Sequence, residues 1–328
     1  MSWTWSLFIQ LFLITGAIAH ELVLDHDFPD PSLIKGQDGF FYAYGTQGTS
    51  ESGAPRIFNL QLARSRDLKS WEHLGEALPQ KPAWAKSTQA FWAPHIHFAH
   101  NQYYLFYSAD PDTRDGLCLA VATAKTPKGP FIDSGKPLIC GPSFSNIDPM
   151  AVTVGKRTFL FWGSGFDPIR MRELDETLLK FKDKSVTKNL VSPDRTRDPA
   201  PYTRLLEGSW VHQRDGYFYL FVSGENCCSG PDPKYATLVL RSKNIDGPYE
   251  WKENDPRKSV VIESAGKFSA TGHNSLISHE GKLWSFYHGV NADHPTLTTP
   301  IPGDRTNRRV MLRQEMRFTA GWPYMSQD

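Results

Sequence analysis

The chain carries little that would tie it to nucleic acid, a membrane or a metal. Its 36 Lys and Arg are balanced by 35 Asp and Glu, for a formal charge of +1 over 328 residues. No block of like charge occurs, so polyanions and anionic lipid surfaces find no patch to bind. Beyond the first residues, no apolar run approaches the length of a membrane span. Cysteine is sparse, four in all, and the spacing of Cys118, Cys140, Cys227 and Cys228 is not that of a zinc site. No Asn-x-Ser/Thr sequon occurs, so no N-glycan argues for secretion. Helical periodicity is weak: the stretch 175–185 has some helical character but is short and ends in charges.

Against these absences stand 24 Pro, 25 Gly and 13% aromatic residues. Spread along the chain, they give short strands and frequent turns. Five segments repeat one pattern: DPSLI from Asp30, APHIH from Ala93, DPMAV from Asp148, EGSWV from Glu207 and HNSLI from His273. Each leads through a polar turn into an aromatic strand: FFYAYG, YYLFYSA, TFLFWGS, YFYLFVSG and LWSFYHG. A period of roughly 60 residues is a repeat signature, and strand–turn–strand units are propeller blades. A second echo, ATAKTPKGPF against RSKNIDGPYE, relates the outer parts of blades two and four. The sequence therefore predicts an all-β fold, a single five-bladed β-propeller with an axial active-site funnel. No linker divides it.

The N-terminus adds a compartment. Met1 to Ile14 is mostly apolar and includes Leu11-Phe12-Leu13-Ile14, and Ala17-Ile18-Ala19 offers a small-x-small cleavage site. A positive n-region is missing, since no Lys or Arg precedes Lys35. Residues 1–19 read as a signal peptide and 20–328 as the propeller, a secreted monomer free of the membrane after cleavage. In an oxidising compartment four cysteines allow three pairings. Cys118 with Cys140, inside one blade, is the favoured pair. The adjacent Cys227 and Cys228 either bridge each other or take separate partners.

The repeat would bring Asp30, Ala93, Asp148, Glu207 and His273 to one slot around the axis. Asp-Pro is a common turn pair, and a lone Asp there would be structural. Three carboxylates gathered at one axis repel, raise at least one pKa, and suit glycoside hydrolysis. One acid protonates the leaving oxygen, one carboxylate activates water, and a third keeps the acid protonated.

DPSLI, Trp92-Ala93-Pro94, SNIDPM, EGSW and GHNS, in that order, resemble glycoside hydrolase family 43 over nearly all of the mature chain. The resemblance implies a general base at Asp30, a pKa modulator at Asp148 and a general acid at Glu207. It implies inversion, with base and acid roughly 6.5–9.5 Å apart to admit a water. The matching histidine of the family lies near the axis and often touches a central ion, commonly calcium, which makes His273 the metal candidate. No cofactor is required for the chemistry. Calcium prefers oxygen ligands, so one histidine is a poor site for it. Phe91 and Trp92 are candidates for a sugar-stacking wall, with Trp162 and Trp210 read rather as core. Asn146 and Ser164 are candidate hydrogen-bonders to substrate.

The implied substrate is a plant-type polysaccharide or oligosaccharide bearing α-L-arabinofuranosyl units, most of all 1,5-linked arabinan, cleaved in endo or exo fashion. A β-xylosidase of the same family and a non-catalytic sugar-binding propeller are the alternatives. Gly45 to Asn59 and Ser192 to Arg204 are long enough to close the funnel. Other motifs are weaker. His95 and His97 share one strand face without a third zinc ligand. His20, first after the cleavage site, is read as chance and not as a copper brace. Arg197-Asp198-Pro199 is similar to a motif of fructan-acting propellers. Those enzymes also need a sequence like WMNDPN, where this chain has HDFPDPS, so the motif is read as loop.

Overall fold

A computed structural model describes residues 20–54, 56–163, 165–196, 202–301 and 305–327. The leader 1–19, Ser164 and Arg197-Asp198-Pro199 lie outside the described residues. Five antiparallel sheets follow one another along the chain. The first pairs Ser32–Lys35, Phe41–Gly45, Gln61–Ser65 and Trp71–Glu76 in order, inner strand to outer. The inner strands of the next four are Phe91–Ala99, Met150–Val154, Leu206–Arg214 and Phe268–His279. This is the expected five-bladed propeller.

The aromatic second strands are continuous because both of their faces are covered. Successive side chains of a strand point to opposite faces. In blade one, Tyr42 and Tyr44 pack towards Phe91, Leu105 and Tyr107 of blade two. Phe41 and Ala43 pack the other way, towards Phe286 and Met311 of blade five. The same division gives three further cores, between blades two and three, three and four, and four and five. A polar residue in a second strand would therefore fall in one core or the other.

Helix is confined to two short 3-10 turns, Lys252–Asn254 and Pro256–Ser259, among the described residues. The stretch 175–185 is not helical. Leu174 bridges Phe181, and Asp175 takes the Leu178 N–H in a turn, so its charges sit on a short exposed hairpin. The echoed outer segments of blades two and four both turn at a left-handed glycine before proline, Gly129 and Gly247. Cys118 and Cys140 face each other across neighbouring strands and are bonded, as favoured. Cys227 and Cys228 bridge each other.

The outermost strand of blade five is Glu21–Leu24, which pairs with Arg309–Thr319. Arg313 locks this closure. Its guanidinium forks onto both Glu21 oxygens at 2.8 Å, donates to the Leu68 carbonyl at 3.1 Å, and lies over the Trp284 ring. His20 continues the strand, its Nδ1 2.7 Å from the Tyr287 hydroxyl and its Nε2 3.1 Å from the Glu263 carbonyl, a structural anchor. Glu21 is half exposed, which screens the pair, but the buried Arg313 also loses a carbonyl and a ring. Arg313→Ala is expected to cost about 1–3 kcal/mol, read as a lowered urea midpoint. An unchanged midpoint would mean that blade five closes without this residue.

Candidate active site

The inner strands carry a shared irregularity. Where each enters its blade, three residues span what two span on the partner strand, as with Trp92 to His95 against Ser108 to Phe106. A bulge of this kind needs a residue at positive φ. Four of those residues are Asp30 (φ 57), Ala93 (47), Asp148 (57) and His273 (55). In blade four the residue is Gly208 (φ 61), not Glu207. The expectation of five equivalent side chains is corrected here. Glu207 pairs with Ser223 one residue before the bulge, where blade two has Trp92. Gly208 faces the His273 ring, where a Cβ would lie 3.2 Å from its atoms.

Each bulge N–H points at the preceding blade, and a side chain at the end of that blade's second strand receives it. Thr46 Oγ1 accepts from Ala93 at 2.7 Å, Ser108 Oγ from Asp148 at 3.1 Å, and Ser223 Oγ from His273 at 2.8 Å. His288 Nδ1 accepts from Asp30 at 3.2 Å and so joins blade five to blade one. In blade three this place is Gly163, which has no side chain to offer, and the Gly208 N–H goes to Asp148 Oδ2 at 2.8 Å. The glycine thereby hands the Asp148 carboxylate a positioning bond.

The three carboxylates lie in different surroundings. Asp30 is buried, which alone would raise its pKa. Arg309 overrides this with its Nη1 2.9 Å from Oδ1, aided by His273 and His288, and the group is held well below the usual range. Thr46 Oγ1 donates to Asp30 Oδ2 at 2.5 Å. Asp148 is equally buried and has no direct cation among the described residues. Burial first, then Glu207 and Asp30, push it well above the usual range. Glu207 is only half-buried, and Tyr235 donates its hydroxyl to Oε1 at 2.7 Å. Burial and those carboxylates push the Tyr235 phenol far up, so it stays a donor. His288 is driven down to about 3 by burial and then by Arg309, and is neutral.

His273 sits between the acids, its Nδ1 3.4 Å from Asp30 Oδ1 and 3.9 Å from Asp148 Oδ2. Burial lowers its pKa despite Asp30 and Glu207. Calcium takes six to eight oxygens. Here the nearby oxygens already receive Arg309, Thr46 and Gly208, and Arg309 adds positive charge. Among the described residues no group of three or more His, Cys, Asp or Glu suits a metal. The side chains present do not fit a directly ligated ion at His273.

The proposed sugar contacts divide. Phe91 is fully buried in the core between blades one and two, against Tyr107, and cannot stack on a sugar. Trp92 is half-buried, occupies the position of Glu207 in its own blade, and pairs with Phe144, which is 54% exposed. Asn146 is withdrawn from the funnel: its Oδ1 receives the Trp162 indole at 3.1 Å and its Nδ2 meets the Leu117 carbonyl. Trp162 is core, as read. Trp210 lies one layer below the acids against His95, their rings 5.4 Å apart. His95 is neutral, pushed to about 3 by burial, and its Nε2 meets the Ala151 carbonyl. It is part of the packing and not a zinc ligand.

Sequence reasoning missed Tyr235, His288 and Arg309. The family description "Glycosyl hydrolases family 43" matches residues 20–323. The chain is 25% identical over 308 residues to "Extracellular endo-alpha-(1->5)-L-arabinanase 1" of Bacillus subtilis (strain 168), covering 90% of this chain and 86% of that one. It is 25% identical over 254 residues to "Extracellular exo-alpha-(1->5)-L-arabinofuranosidase ArbA" of Cellvibrio japonicus (strain Ueda107), covering 71% and 73%. The fold matches a solved Cellvibrio cellulosa alpha-L-arabinanase with TM-score 0.74 at 20% identity, over 92% of this chain and 96% of that one.

A carboxyl whose folded pKa is raised loses stability as pH climbs from its unfolded to its folded value. Asp148→Asn removes that cost and keeps an oxygen for the Gly208 N–H. Its melting temperature is expected to exceed the unmodified protein's at pH 7 by a few degrees, about 2–4 °C per kcal/mol. The two should converge near pH 4. Equal melting temperatures at pH 7 would refute the crowding of charge at Asp148.

Proposed function

The chain belongs to the glycosyl hydrolases of family 43, and from that membership we propose that it hydrolyses α-1,5-linked arabinan or its oligosaccharides with inversion. The observation that carries the mechanism is the opposed treatment of neighbouring carboxylates. Asp30 is kept ionised by Arg309, while burial and two like charges favour a proton in the Asp148–Glu207 pair. Ionised Asp30 takes a proton from a water as that water attacks the anomeric carbon. Glu207, the least buried of the three and oriented by Tyr235, gives its proton to the leaving oxygen. Asp148, fixed by the Gly208 N–H, supplies the negative charge that keeps a proton in the pair. Trp92 and Phe144 offer ring faces to the sugar. The chemistry uses carboxylates and water alone.

Both relatives are named extracellular. Together with the apolar leader and Ala17-Ile18-Ala19, this supports secretion, with His20 as the first mature residue. Those two names also differ in endo and exo action, so the product pattern from linear arabinan decides that choice. The test sets the mature protein and its Asp30→Ala and Glu207→Ala variants on arabinan, an aryl α-L-arabinofuranoside and an aryl β-xyloside. Asp30→Ala is expected to lose about 10²–10⁴-fold on every cleaved substrate. Glu207→Ala should lose least on the aryl substrate, whose leaving group needs less protonation. Proton NMR of the first product should give the inverted anomer. Binding without turnover by the unmodified protein would replace the enzyme with a sugar-binding propeller.

A further inference from the structure

Cys227 and Cys228 lie in the loop between Tyr217–Glu225 and Tyr235–Ser242 of blade four. Both sulfurs belong to half-buried residues. The loop is braced internally by Asn226, whose Oδ1 accepts the N–H groups of Cys228 and Ser229 at 3.2 and 3.1 Å. From there it reaches in two directions, and each ends at a catalytic carboxylate.

One direction crosses to the last blade. The Cys228 carbonyl accepts the N–H groups of both Thr306 and Asn307 at 3.3 Å. Gly230 N–H donates to Thr306 Oγ1 at 3.4 Å, and Asn307 Nδ2 donates to the Gly230 carbonyl at 3.1 Å. The residues so held directly precede Arg308 and Arg309. Arg308 forks onto Glu51 at 2.7 and 2.8 Å, and Arg309 reaches Asp30 at 2.9 Å. The other direction runs through packing. Cys227 lies against Tyr235, Ala270 and Val290. Tyr235 holds Glu207 at 2.7 Å and stacks on the His288 ring, centroids 5.5 Å apart and planes 6° apart. His288 Nδ1 in turn is 3.0 Å from Asp30 Oδ1.

We propose that the Cys227–Cys228 disulfide is a positioning clamp for the catalytic pair, fixing Arg309 against Asp30 through Thr306 and Asn307, and Tyr235 against Glu207 through Cys227. Two adjacent residues without the bond sample many backbone shapes, whereas the eight-membered ring of a bonded pair samples few. The Cys228 carbonyl is therefore aimed, and the segment it receives is aimed with it. A dithiol undoes this. It passes two electrons and two protons to the sulfurs, the Sγ–Sγ bond breaks into two thiols, and the reductant leaves as a cyclic disulfide. The positions of two proton-transfer groups then loosen together.

The inference rests on the glycosidase reading, so its test has a readout independent of turnover. In a Cys118→Ser/Cys140→Ser background the vicinal pair is the only disulfide. The protein is reduced with dithiothreitol, two thiols per chain are confirmed by titration, and hydrogen exchange is followed at the Thr306 and Asn307 amides. On the aryl arabinofuranoside, kcat, KM and the pH profile are measured before and after. Reduction is expected to speed exchange at both amides and to lower kcat about tenfold with KM nearly constant, the scale of a small misplacement. The limbs of the pH profile should move, and reoxidation should restore all three. Unchanged exchange with two free thiols overturns the clamp whatever the activity. Faster exchange with unchanged kcat and pH profile overturns its positioning role. An oxidised protein inert to every arabinofuranoside overturns the glycosidase reading, while the exchange result still decides the clamp. Cys227→Ser/Cys228→Ser in the otherwise native chain gives the same comparison if the background variant does not fold.

Discussion

The structure depends on a ring of hydrogen bonds between blades. A bulge N–H would be orphaned inside the molecule without a partner, and each such group costs about 1–3 kcal/mol. The fold answers with one side chain in each of four blades: Thr46, Ser108, Ser223 and His288. These bonds set the height at which each inner strand enters the funnel. The series fails at one place, and there a carboxylate takes over. Gly163 offers nothing, and its neighbour across the gap is served by the Asp148 carboxylate. Bulk could not be restored cheaply at Gly163, since a Cβ would stand 2.7 Å from the Pro168 carbonyl.

The opposed states of Asp30 and Asp148 follow from what lies behind each. Both are buried to the same degree and both face His273. Among the described residues only Asp30 has a guanidinium in contact, and that guanidinium comes from the last blade. One cation placed at one side of the axis thus separates a carboxylate held ionised from a carboxyl pair that favours a proton. Without Arg309, burial would press both groups in the same direction.

The fold was legible because two-faced burial leaves a loud trace, five aromatic runs at a steady spacing. Asp30, Asp148 and His273 were legible because the bulge repeats. Blade four was misaligned by one residue because the bulge residue is Gly208, and a glycine is silent beside an acid. The choice between Phe91 and Trp92 was open to reasoning, since neighbours on a strand face opposite ways and only one could look into the funnel. His288 was missed although a signal for it exists: like Thr46, Ser108 and Ser223, it is a polar residue that closes an aromatic strand. Tyr235 and Arg309 carry no such signal. They reach the axis from third strands, and no local pattern says which buried tyrosine or arginine does so. Asn146 misled because a polar side chain near a buried axial aspartate can serve an indole as readily as a sugar.

The pairing of Glu21–Leu24 with Arg309–Thr319 also constrains how the chain comes to be folded. Glu21 and Arg313 are 292 residues apart. Contacts so distant are paid for in loop entropy before they return anything, which slows folding. Four blades can condense as they are made, each from a local run of chain. The fifth cannot, because its outer strand precedes the other four blades in the chain and its third strand follows them. Arg309 sits on that third strand, so the Asp30 environment is completed only after all five inner strands have been made. A chain interrupted before residue 309 would hold five inner strands and the three axial carboxylates, yet still lack the cation that tells one carboxylate from another.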